Sequence, residues 1–137
     1  MSLHKFTPFL LVGEDLRKIH DGLMDSRKFR ELVVFDLLCT GLRPAEISRC
    51  KAVEMSDNCL FFYFKKSKDS QAYYLPIRKL NVEWMSDFEP GDLLFADPKN
   101  SSTPLPIYEI LKMVIGWSTY LDDNKVLAIR DFRRLHS

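Results

Sequence analysis

Arg43 stands where the chain is best arranged to hold an anion. In Thr40-Gly41-Leu42-Arg43-Pro44-Ala45-Glu46-Ile47 an apolar run (Leu32-Val33-Val34-Phe35, then Leu37-Leu38) meets Gly41. Glycine takes most easily the left-handed conformation that closes a helix. Pro44 suits the first turn of a new helix, where a missing N–H costs nothing. Glu46 falls in that same turn, where a carboxylate complements the positive end of the helix dipole. Arg43 is therefore expected at a sharp corner between two helices, beside free backbone N–H groups, a setting suited to a phosphate oxygen. Further basic residues gather at Lys65, Lys66 and Lys68, at Arg78 and Lys79, and at Arg130, Arg133 and Arg134. Such clusters can make one basic face, although each taken alone reads as solvated surface.

The elements that must position these groups can be read in chain order. Leu16, Ile19 and Leu23 recur at helical spacing from Glu14, giving a first amphipathic helix to about Leu23. Asp25-Ser26 is expected to cap a second helix running to Thr40, apolar nearly all round in its second half and hence the most buried. A short third helix starts at Pro44, with Ile47 and Cys50 facing inward. Val53 to Met55 reads as a short strand, and Ser56-Asp57-Asn58 as turn chemistry. Leu60-Phe61-Phe62-Tyr63-Phe64 and Ala72-Tyr73-Tyr74-Leu75 flank a polar stretch, the pattern of a β-hairpin with Lys66 and Lys68 near its tip. A poorly specified helix is expected over Arg78 to Phe88, a buried piece at Leu93-Leu94-Phe95 and a loop over Asp97 to Thr103. Ile107, Ile110, Leu111, Val114, Ile115 and Leu121 mark a long amphipathic helix. Asp131 can open a last helix, about one and a half turns before the sequence stops, which suggests truncation.

With 137 residues and a net charge of +1, the chain has the size of one domain, and bulk electrostatic coating of nucleic acid is disfavoured. Its 46% apolar share argues against wholesale disorder. No apolar run reaches membrane-spanning length and the start lacks a signal-peptide pattern, so no membrane partner and a cytoplasmic location are expected. Cys39, Cys50 and Cys59 are odd in number and form no C-x-x-C, reading as reduced thiols and not as a disulfide framework or zinc site.

Three features in order resemble the tyrosine recombinases, the phage integrase family. Thr40 to Ile47 resembles the family's first catalytic-arginine box. Lys68, eight residues before Pro76, resembles its hairpin lysine, and Arg130-Asp131-Phe132-Arg133 its second box, usually His-x-x-Arg. The resemblance covers about Leu11 to the C-terminus. It implies an α+β, mainly α catalytic domain with a small three-stranded antiparallel sheet over 11–137, truncated at its C-terminus. Residues 1–10 would be an extension, with cloning as one source of them.

It further implies cleavage and rejoining of double-stranded DNA through a 3′-phosphotyrosine, with no metal or other cofactor. Arg43 and Arg133 would clamp the non-bridging oxygens with planar, always-charged forks. Lys68 would be general acid for the leaving 5′-oxygen, with Lys66 as competitor. Glu46 would orient active-site cations, and Lys65, Lys66 and Arg134 would contact DNA backbone. Arg130 replaces the usual His and can bind phosphate without acting as a base near neutral pH. Tyr63, Tyr73, Tyr74, Tyr108 and Tyr120 all precede Arg133, so none is expected to be the nucleophile, and this chain alone is expected to be inactive. The resemblance gives other protomers on DNA as partners, with the isolated chain a monomer or weak dimer. Two alternatives are a non-catalytic DNA-binding remnant or regulator of the same fold, and an α+β interaction domain without DNA affinity.

Overall fold

Leu32, Val33, Val34, Phe35, Leu37 and Leu38 are all buried, and the helix carrying them, α2 (Phe29–Cys39), is the axis on which the other elements pack. The computed structural model describes residues 11–55, 59–65, 72–78, 91–122 and 125–136. The architecture is mainly helical with small antiparallel sheets.

The first helix, α1 (Gly13–Asp25), turns Ile19 and Leu23 into the core and leaves Arg17 and Asp21 as an exposed i, i+4 pair. It does not stop before Asp25, so Asp25-Ser26 does not cap α2 as expected. Ser26 is instead the C-cap of α1, and Arg27 follows at φ 57. The Arg27 and Lys28 N–H groups donate to the carbonyls of Met24 and Leu23, at 3.0 and 2.9 Å. This is the Schellman closure, made here without glycine. No side chain caps the start of α2.

At its other end α2 closes in the same way. Gly41 sits at φ 102, its N–H on the Leu38 carbonyl at 3.1 Å and the Leu42 N–H on the Leu37 carbonyl at 3.2 Å. Leu42 is buried behind this turn, and α3 (Pro44–Ser48) begins at the proline with Ile47 fully buried.

Strands β1 (Lys51–Met55), β2 (Cys59–Lys65) and β3 (Ala72–Arg78) pair antiparallel in the order β1-β2-β3. The β1–β2 register shifts between Ala52 and Glu54, whereas β2–β3 runs unbroken from Cys59↔Arg78 to Lys65↔Ala72. Pro76 lies inside β3 opposite Phe61, so the strand runs on past the expected Ala72 to Leu75 stretch and through the proline. A strand with only one neighbour tolerates a residue that has no N–H to give. Residues 66–71 and 79–90, and with them Lys66, Lys68 and the expected helix over Arg78 to Phe88, lie outside the described residues.

Leu94 and Phe95 are buried as expected, the Leu94 N–H bonding the Cys50 carbonyl at 2.9 Å. The following stretch is not a plain loop. β4 (Ala96–Asp97) and β5 (Asn100–Pro104) form a second antiparallel ribbon, and the Arg30 guanidinium donates to the Ala96 carbonyl at 3.0 Å. The amphipathic helix α4 (Ile107–Gly116) tightens into a 3-10 turn over Trp117–Tyr120, and α5 (Ile129–Arg133) into another over Arg134–His136. Among the described residues no helix is long and apolar enough to cross a membrane.

The ends of the fold meet in an aromatic triangle. Phe35 of α2, Trp117 after α4 and Phe132 of α5 lie edge to face, with centroids 5.8, 5.9 and 6.0 Å apart. The Trp117 indole N–H is satisfied by Glu31 Oε1 at 2.8 Å, as a buried indole requires. Polar ties fix the coil leading into α5: Lys125 Nζ on the buried Asp15 carboxylate at 3.0 Å, and the Leu127 N–H on Ser118 Oγ at 2.8 Å.

Candidate functional site

Arg43 is the residue before the first turn of α3, in extended conformation (φ −87°, ψ 155°), and is exposed. Its backbone has little freedom. The N–H donates to Glu46 Oε1 at 2.8 Å, and its carbonyl accepts from the Glu46 and Ile47 N–H groups, both at 2.9 Å. Of the backbone N–H groups expected to lie free beside Arg43, those of Glu46 and Ile47 are bonded within the corner, and so is Arg43's own. Glu46, 7% exposed, has taken it, and a buried carboxylate there opposes an anion at the backbone. The guanidinium is the charged group this corner offers to an anion.

Arg133 is the last residue of α5 and is also exposed. Its neighbour Phe132 is the α5 member of the aromatic triangle, so the residue beside Arg133 is locked into the core from two sides.

Arg43 and Arg133 line one cleft. Its volume is about 260 Å³, and Leu38, Gly41, Leu42, Ile129 and Phe132 complete the lining. The lining is thus two guanidinium groups on an otherwise apolar wall with no carboxylate among its residues. Apolar walls lower the local dielectric and strengthen what the two charges exert on an anion. The volume falls below the roughly 300–1,000 Å³ usual for drug-sized ligands, and suits a compact anionic group better than an extended organic molecule. Among the described residues, Arg43, Arg130 and Arg133 form no salt bridge. Two of these always-charged groups, Arg43 and Arg133, share the cleft lining.

Such a fold has a precedent among solved structures. It is similar to the crystal structure of XerA recombinase, with a TM-score of 0.65. The fold is recombinase-like. The match has 15% sequence identity and covers 92% of this chain and 48% of that one, so this chain spans about half the length of the structure it resembles. No family model and no curated protein matches the sequence.

The remaining candidates are distributed as follows. Arg130, on the second residue of α5, is exposed and outside the cleft lining, as is Arg134 in the turn that follows. Lys65 ends β2, paired with Ala72, while Lys66 and Lys68 are outside the described residues. Tyr108 is exposed on α4 with the Lys112 ammonium 5.9 Å from its ring centroid, and Tyr120 packs over Gly22 of α1. Neither lines the cleft. Among the described residues no group of three or more His, Cys, Asp or Glu side chains could hold a metal ion. Burial pushes the Cys39 and Cys50 thiols up to about 12, with Asp36 and Glu46 adding to it, so neither is a nucleophile near neutral pH.

The apolar half of the lining, Leu38, Ile129 and Phe132, carries no sequence signal, because nothing in these residue types separates them from core residues.

Proposed function

We propose that this chain is part of the catalytic domain of a tyrosine recombinase, an enzyme that cuts and rejoins DNA at specific sites through a 3′-phosphotyrosine intermediate. The observation that carries the reading is the shared cleft: Arg43 and Arg133, both exposed and without a salt bridge among the described residues, come from distant parts of the chain to one largely apolar hollow. The recombinase-like fold supports it.

Attack on a phosphodiester places extra negative charge on the non-bridging oxygens of a pentacoordinate phosphorus. Arg43 and Arg133 clamp those oxygens, each with a planar fork that an ammonium cannot reproduce. Glu46 holds the Arg43 backbone in place and so acts on the clamp indirectly. Lys68 is the general acid that protonates the departing 5′-oxygen, with Lys66 the competitor for that role. Arg130 contacts phosphate but cannot act as a base. Lys65, Lys66 and Arg134 bind the DNA backbone. None of the five tyrosines in these 137 residues is assigned as the nucleophile.

Two measurements test this. Binding to a labelled DNA duplex should weaken steeply with salt, and Arg43→Ala or Arg133→Ala should each lower the log–log salt slope by about 0.9. A duplex affinity that ignores both substitutions would refute the clamp. On a nicked suicide substrate the chain should form no covalent adduct; a stable adduct would mean that one of its own tyrosines attacks.

A further inference from the structure

Asp131 is 5% exposed, and its carboxylate spends a hydrogen bond on one backbone amide: the Ala128 N–H donates to Asp131 Oδ2 at 2.8 Å. The Asp131 N–H returns a bond to the Ala128 carbonyl at 3.0 Å, so the two residues grip each other across the start of α5. Burying a carboxylate is costly unless its oxygens are satisfied. Ala128 has no side chain that could cap the helix, so the acid three residues on does what a Ser or Asp at the cap itself would otherwise do. The same reciprocal grip joins Arg43 and Glu46 at the start of α3, with matching distances of 2.8 and 2.9 Å. Both short helices that bring an arginine to the cleft are thus pinned at their origin by a buried acid in the third position.

The pinning has a geometric consequence at α5. The helix is only five residues long, too short to hold its shape unaided. Arg130 and Arg133 flank Asp131 and Phe132, so the two buried residues fix the helix from below while the two arginines stay exposed. Phe132 anchors the helix sideways against Phe35 and Trp117. Among the described residues, the Asp131–Ala128 bond is the side-chain hydrogen bond that ties its first residues to the preceding coil. Asp131 forms no salt bridge with either arginine, so it acts on the backbone and leaves both cations available.

We infer that Asp131 is a positioning residue for the cleft, setting the α5 backbone so that Arg133 meets Arg43 around one phosphate. This rests on the proposed phosphate-binding role of Arg133.

The test is duplex binding by the full chain, read as affinity across a salt series. Electrostatics alone predicts that Asp131→Ala, which removes a negative charge, tightens binding. Positioning predicts the opposite: about three- to tenfold weaker binding and a salt slope lowered by about 0.9, as for Arg133→Ala. Asp131→Asn keeps an acceptor and should restore the slope. In an Arg133→Ala background Asp131→Ala should have no further effect. Tighter or unchanged binding by Asp131→Ala, while Arg133→Ala weakens it, overturns the inference and leaves the clamp standing. Unchanged binding by Arg133→Ala overturns the clamp and this role with it. Hydrogen exchange on the unmodified chain removes any dependence on how the variants fold. The Ala128 amide should be protected before DNA is added, and fast exchange there overturns the inference.

Discussion

Phe132 and Trp117 meet edge to face, centroids 6.0 Å apart and planes at 79°, and this contact links the last helix to the 3-10 turn after α4. Both residues are about 1% exposed, and Phe35 closes the triangle from α2. The contact fixes more than the core, because Phe132 also lines the cleft between Arg43 and Arg133.

Phe132→Ala should therefore destabilise the chain by about 3–5 kcal/mol, from lost burial together with the cavity left behind. Chemical denaturation would measure it. A double-mutant cycle with Trp117→Ala should return a coupling of about 0.5–1.5 kcal/mol, the part belonging to the ring–ring geometry. A coupling near zero would mean that the triangle is mere burial.

What was legible in the sequence follows from how uniquely a residue type answers a backbone demand. Gly41 at φ 102 and Pro44 at the first turn of α3 are such answers, and the corner between α2 and α3 falls where the sequence puts it. The end of α1 was not legible, because Asp25-Ser26 has the composition of a cap while Arg27 takes the left-handed position. The β4–β5 ribbon was read as loop because Asp97 to Thr103 has no apolar alternation, and the ribbon is held by backbone pairing and by Asx turns at Asp97 and Asn100. At the site, the two arginines could be named from motif resemblance. The use of the Arg43 N–H could not, since Glu46 can serve either the dipole or the backbone and only coordinates decide between them.

Arg27 provides a second prediction. An L residue in the left-handed region costs roughly 1–2 kcal/mol relative to the right-handed one, and glycine largely escapes it. Part of the gain is returned through the greater freedom of glycine in the unfolded chain. Arg27→Gly should stabilise by about 0.5–1 kcal/mol. A thermal midpoint that falls would show that the Arg27 side chain contributes more than its backbone strain costs.

The thiols of buried Cys50 and half-buried Cys39 make stability depend on pH in the alkaline range. In the folded chain Cys39 and Cys50 stay protonated up to about 12, whereas unfolded thiols ionise near 8.5. Where folded pKa exceeds unfolded pKa, the contribution is intact below the lower value and shrinks as pH rises toward the upper one. Above about pH 8.5 each thiol should thus remove up to roughly 1.4 kcal/mol per pH unit. Between pH 7 and pH 10 the thermal midpoint of Cys50→Ala should fall less than that of the unchanged chain. Parallel curves would place the thiol in a more polar setting than its 0% exposure indicates.

Gly22 lies in the last turn of α1, where alanine would ordinarily gain up to about 1 kcal/mol. Here the position of a Cβ is already occupied: the Tyr120 ring lies across it, with two of its atoms only 2.6 Å away. The ring is itself tethered, its hydroxyl 3.4 Å from Ser26 Oγ. Gly22→Ala must push Tyr120 outward and loosen the seam between α1 and the 3-10 turn, at a cost of about 1–3 kcal/mol. Removing the ring should reverse the sign, so that in a Tyr120→Ala background Gly22→Ala becomes stabilising by the ordinary helix-propensity gain. Equal effects in the two backgrounds would mean that the ring does not rest on the glycine, and the close approach of α1 to that turn would need another cause.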